Sequence, residues 1–181
     1  LPAQILWVNI IVDGLPAIAL AWEKEEGDVM LRKPSRRGSV FGREVKLLVT
    51  FFTVITDAAL FILFYYLLNR TGDVQYARTM TFAGLGLTSL FYIFSVKSLQ
   101  KPVWRINPFS NKFLNLGVVL GLILYYLAIY VPGLNDLLAT VPLKGQDWTV
   151  LILLGLFNIA VIEVCKAIFL REKLTNASRS V

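Results

Sequence analysis

Along this chain the hydrophobic residues run rather than alternate. No Asp, Glu, Lys or Arg occurs from Phe113 to Asn135, and none from Thr79 to Val96. An apolar run of about 18 residues or more is long enough to cross the ~30 Å hydrocarbon core of a bilayer as a helix. Five segments reach that length, at 1–22, 45–69, 76–97, 112–132 and 149–170. Lipid offers no hydrogen-bond partners to the backbone, so a spanning segment is either helical or part of a closed barrel. These runs are too long and too uniformly apolar for barrel strands, which alternate lipid-facing and lumen-facing residues. The pattern therefore predicts an all-α, polytopic transmembrane bundle of five spans over residues 1–170, with 171–181 as a tail. No internal repeat is visible.

Composition supports a membrane chain. Hydrophobic residues make up 56 % and charged residues 17 %, against about 45–50 % and about 25 % in an average soluble protein. The net charge of +6 does not point to nucleic acid, because the basic residues lie in short loops between apolar runs. Seven Lys/Arg fall in 23–46, four in 97–112 and three after 170, whereas the opposite loops hold Arg70, Arg78 and Lys144. The positive-inside rule then makes the basic side, with the C-terminus, cytoplasmic in a multi-pass cell-membrane protein. Leu1 is placed outside, and the absence of an initiating Met or basic leader fits the C-terminal part of a longer protein. Tyr65, Tyr66, Tyr76, Tyr130 and Trp148 are expected at the outer interface, and Trp22 and Trp104 at the inner one. Small residues at Ala83, Gly84, Gly86 and Ser89 predict close helix contact in the third span. Sequons at Asn69 and Asn176 are poorly placed for glycosylation: the first hugs the membrane and the second is on the cytoplasmic side.

The candidate chemistry lies in the first span, from Asn9 to Pro16. Asp13 sits mid-span, where an ionised carboxylate costs about 2.5–3.5 kcal/mol and calls for a partner or a cation. Asn9 precedes it by four residues, so in an α-helix both face one side and offer oxygens suited to a hard cation such as Ca²⁺. Pro16 has no N–H, so the Val12 backbone carbonyl loses its usual donor, and Gly14 loosens the same turn. Broken helices of this kind form ion sites in transporters. The plainer alternative is a kinked helix whose Asp13 pairs with a neighbouring segment. No His is present, which excludes His-based metal sites and triads, and the single Cys165 reads as a buried thiol.

Three other charges lie deep within spans, away from the ends where Arg78 and Lys97 can snorkel. Asp57, one turn after Thr53, is expected to be hydrogen-bonded or structurally paired, the alternative being contact with a second ion or with a helix outside this chain. Glu163 and Lys166, at i and i+3, can neutralise each other.

The motif Leu1-Pro2-Ala3-Gln4-Ile5-Leu6-Trp7-Val8-Asn9, then Asp13-Gly14-Leu15-Pro16-Ala17, Glu23 and Gly27 to Pro34, resembles the sixth transmembrane helix and following loop of P-type cation-transporting ATPases, the calcium pumps in particular. The later spans resemble the rest of that family's C-terminal membrane region in number and loop length. The resemblance implies that Asn9 and Asp13 are cation ligands and that loop 23–46 couples the membrane to cytoplasmic domains. Two-site calcium pumps carry a Thr where Val12 stands and a Glu near the position of Thr88-Ser89-Leu90, so a single site for Ca²⁺ (or Mn²⁺) is implied. Sodium–potassium pumps resemble this helix too, which keeps a monovalent-cation pump as the alternative, but they carry an acid at the position of Asn9, which counts against it; an ATP-independent transporter or scaffold is a further alternative. The family's Asp-Lys-Thr-Gly phosphorylation motif is absent. ATP and Mg²⁺ would therefore be handled by upstream cytoplasmic domains, which with further transmembrane helices and the lipid bilayer are the expected partners.

Overall fold

A computed structural model describes residues 1–22, 42–98 and 102–169, apart from the side chains of Val12, Asp13, Leu15 and Glu44. The linker from 23, with its proposed coupling role, and the tail from 170, with the Asn176 sequon, lie outside the described residues. All regular structure among those residues is helical. The first span is built of α1 (Pro2–Trp7), a π-helical segment (Val8–Gly14) and α2 (Leu15–Leu20). Then come α3 (Arg43–Thr71), α4 (Val74–Val96), two short 3₁₀ turns, α5 (Lys112–Tyr130), α6 (Leu134–Leu138) and α7 (Gly145–Phe169). Five helical stretches are long and apolar enough to cross a membrane, at Pro2–Leu20, Val45–Thr71, Val74–Val96, Lys112–Tyr130 and Gly145–Ile168. They match the five runs in the sequence. The last helix starts four residues earlier than its apolar run, because Asp147 accepts the Lys144 amide at 2.7 Å and so supports a polar first turn.

Between α3 and α4 the chain reverses in two residues. Gly72 takes φ +68, a left-handed conformation that closes α3 at no steric cost to a residue without Cβ. Asp73 then caps α4, its Oδ1 accepting the amides of Gln75 at 2.8 Å and Tyr76 at 3.0 Å.

Helix α4 is the centre of the bundle. It packs against α3, α7, α5 and the π-helical segment, and 61 % of its span is buried, against 11 % for α3. Close approach depends on its small residues, as the sequence pattern implied. Gly84 leaves room for Leu60 and Leu154, and a Cβ on Gly86 would overlap the ring of Tyr125, which is fully buried on α5 and stacks on Phe82 at 5.0 Å. A Gly86→Leu substitution is expected to separate α4 from α5, at a cost of at least the ~1–3 kcal/mol typical of overpacking. The check is the thermal unfolding midpoint of the purified protein in detergent, which should fall; an unchanged midpoint would show that the interface can repack.

At one end of the bundle the interfacial aromatics form a tied ring. The Trp148 indole donates to the Tyr130 hydroxyl at 2.8 Å, which donates to the Leu143 carbonyl at 2.7 Å, and the Tyr76 hydroxyl donates to Asp147 at 2.7 Å. At the other end Trp22 lies 5.5 Å from Phe113, and Trp104 is exposed. Cys165 is buried beside Leu48 and Ile162, as expected of an inert thiol. Glu163 and Lys166 form the anticipated ion pair at 2.8 Å, both almost wholly buried. Asp57 corrects the sequence reading. It is exposed on α3, and none of the described residues pairs with it.

Candidate cation site

The candidate stretch is not the regular α-turn that the Asn9/Asp13 spacing presumed. Residues Val8–Gly14 form a π-helix, in which bonds run from i to i+5. Pro16 explains why the widened turn falls there. Its ring nitrogen can donate neither to the Val12 carbonyl four residues back nor to the Ile11 carbonyl five residues back. Ending one helix and starting another with Pro16 in the first turn puts that missing donor where no intrahelical partner is required. Isolated π-turns within helices are frequent at functional sites.

Gly14 takes an ordinary right-handed φ of −67, and a Cβ there would make an ordinary contact of 3.4 Å with the Asn9 carbonyl oxygen. Asn9 is exposed, and the side chain of Asp13 lies outside the described residues, as does that of Val12. The structure therefore describes the backbone of the candidate stretch and the side chain of one of its two candidate ligands, Asn9.

The segment is held at both ends. Near its N-terminal end Gln4 is buried, and its Nε2 donates to the Leu138 carbonyl of α6 at 2.8 Å. Near its C-terminal end the Nδ2 of buried Asn111 donates to the Ala19 carbonyl of α2 at 3.0 Å. The same Asn111 caps α5, accepting the Leu114 amide at 3.0 Å. Val8 and Ala19 join the core formed by α4, α5 and α6, with Ile11 packed against it. Two buried polar atoms next to the stretch have no hydrogen-bond partner, Nε1 of Trp7 and Oδ1 of Asn115 on the neighbouring α5.

Gln4 and Asn111 escaped the sequence reading. Each acts on a carbonyl distant in sequence, and α6 is too short to announce itself by periodicity. Among the described residues no three His, Cys, Asp or Glu side chains come together. Ca²⁺ takes about 6–8 oxygens, more than Asn9, Asp13 and a backbone carbonyl can offer, so this stretch can form only part of a shell.

Comparison with known proteins gives a consistent result. A family model described as "Cation transporting ATPase, C-terminus" matches residues 1–168. The chain is 34 % identical over 174 residues to the calcium-transporting ATPase of Bacillus subtilis (strain 168), an alignment covering 95 % of this chain and 19 % of that protein. It is 30 % identical over 181 aligned residues to calcium-transporting ATPase 1 of Bacillus cereus, covering 91 % and 20 %. With the endoplasmic reticulum-type calcium-transporting ATPase 3 of Arabidopsis thaliana, identity is 26 % over 196 residues, covering 91 % and 19 %. The chain thus spans about a fifth of the length of the relatives it matches.

Proposed function

This chain belongs to the family of cation-transporting ATPase C-terminal regions, and on that premise we propose that it is the membrane part of an ATP-driven pump whose transported ion is Ca²⁺. The observation that carries the proposal is the π-helical break between Asn9 and Pro16, in the span where the family resemblance places cation ligands. Asn9 Oδ1 and the Asp13 carboxylate supply side-chain oxygens. The Val12 carbonyl, whose ordinary α-helical donor is the N–H that Pro16 lacks, supplies backbone oxygen. A carboxylate with neutral oxygens is the donor set a hard divalent cation prefers. Val12 has no side-chain oxygen and Thr88-Ser89-Leu90 no acid, which supports one site, open to Mn²⁺ as well as Ca²⁺. The remaining ligands, and the ATP- and Mg²⁺-binding domains, would come from other parts of the full-length pump.

The Lys/Arg-rich loops and the C-terminus face the cytoplasm in this reading, on the charge asymmetry alone. An ATP-independent transporter or scaffold does not fit a chain of this family. A monovalent-cation pump is disfavoured by Asn9, a neutral ligand that fits a divalent ion's shell.

The test is phosphoenzyme formation from radiolabelled ATP by the full-length protein in membranes. Labelling should require micromolar Ca²⁺, should accept Mn²⁺ in its place and should be absent with Na⁺ or K⁺ alone. Labelling that depends on a monovalent cation, or on none, would overturn the assignment.

A further inference from the structure

Asp57 lies twelve residues beyond Val45 and fourteen before Thr71 in its span, about 18 Å and 21 Å along the axis at 1.5 Å per residue. That is the middle of the bilayer. It is not isolated. Lys46, Thr50, Thr53 and Asp57 follow one another at intervals of four, three and four, which places them within about 60° of arc on one face of α3. All four are exposed. The buried positions by which α3 packs on α4 and α7 include Leu48, Leu60 and Leu67; Leu60 and Leu67 adjoin the stripe on one side, within about 40° of Thr53, whereas Leu48 lies well round the helix from it. On the opposite side of α3 from the stripe, Ile55 and Ile62 form an exposed apolar surface of the kind lipid covers.

A carboxylate cannot be left to hydrocarbon at that depth, and none of the described residues satisfies it. Threonine hydroxyls one turn below it extend the polar surface toward the inner end. Intramembrane ionisable residues face protein or water and pair with opposite charge. The chain accounts for only about a fifth of its relatives' length, so further membrane helices are available to cover the stripe. From this we infer that the Lys46–Thr50–Thr53–Asp57 stripe is the docking face for another membrane-spanning helix of the same full-length protein, one that presents a Lys or Arg to Asp57 at mid-bilayer. The pair would fix the register of that helix against α3. The inference rests on the chain being part of a larger membrane protein and not on the identity of the ion, so loss of Ca²⁺ dependence in the preceding experiment would leave it standing.

Site-directed spin labelling tests it. Full-length protein without reactive native thiols is placed one copy per lipid nanodisc, with a nitroxide at Thr50→Cys, Thr53→Cys or, as the lipid-facing reference, Ile55→Cys. Labels at 50 and 53 should be immobile, and their accessibility both to lipid-dissolved oxygen and to a water-soluble nickel chelate should be several-fold below the respective lipid and water references. High oxygen accessibility at 53 would show lipid on the stripe, or a face covered only by a second copy, and would overturn the proposal. High nickel accessibility would show a water-filled path and overturn it equally. Adding Asp57→Lys should mobilise the label at 53 by like-charge repulsion, whereas Asp57→Asn should do so less; no difference between the two would overturn the cationic partner.

Discussion

Replacing Asp13 by Asn should abolish Ca²⁺-dependent phosphorylation of the full-length pump at the Ca²⁺ concentrations that saturate the unmodified protein. The substitution keeps size and one oxygen but removes the only formal charge in the Asn9–Pro16 stretch. Changes behind the ligands of a metal site typically cost 10–100-fold in affinity, so loss of a charged ligand itself is expected to cost about 100-fold or more. Asn9→Ala should have a smaller effect in the same direction, since it removes one neutral oxygen. Asp147→Asn provides the control. That carboxylate receives the Tyr76 hydroxyl and the Lys144 amide at the far end of α7, and its loss should leave the Ca²⁺ dependence where it was. The measurement is phosphoenzyme level against free Ca²⁺. A normal curve for Asp13→Asn would remove Asp13 from the site.

The second large effect concerns stability. Lys166→Met should destabilise the protein by about 3–5 kcal/mol, because it leaves Glu163 buried with its ion-pair partner gone. Glu163→Leu combined with Lys166→Leu should recover most of that loss, since a well-packed apolar pair can replace a buried ion pair at little or no net cost. Thermal unfolding of the single and double variants in detergent decides the matter. If the double variant is as unstable as the single one, the two side chains stabilise α7 through other contacts and not mainly through each other.

How much of this could be read from the sequence varies with the physics involved. The five spans were legible because a bilayer imposes a length and forbids mid-membrane charge, and both constraints act on contiguous residues. The Glu163–Lys166 pair was legible for the same reason, as three-residue spacing on a helix already places the partners together. At the first span Pro16 revealed which backbone donor is missing. It did not reveal that the preceding turn would widen, because a lost hydrogen bond can be absorbed by a kink, a water or a π-turn, and packing against α4 and α5 decides which. Gln4 and Asn111 were invisible because their partners lie 134 and 92 residues away. Asp57 was recognised as a charge at mid-span, but depth in a membrane and burial in the protein are separate quantities, and only the structure shows that the described residues leave it exposed.

The π-helical turn has one more consequence. Fastened by Gln4 above and Asn111 below, the first span carries one residue of slack between two fixed points. Slack of that kind can travel, as a ruck travels along a carpet. Each residue the ruck passes turns by about 100° about the helix axis, while the fastened ends stay in place. A ligand-bearing segment could thereby present its oxygens in two directions by shifting the ruck a single step, with no need to slide or tilt the helix as a whole.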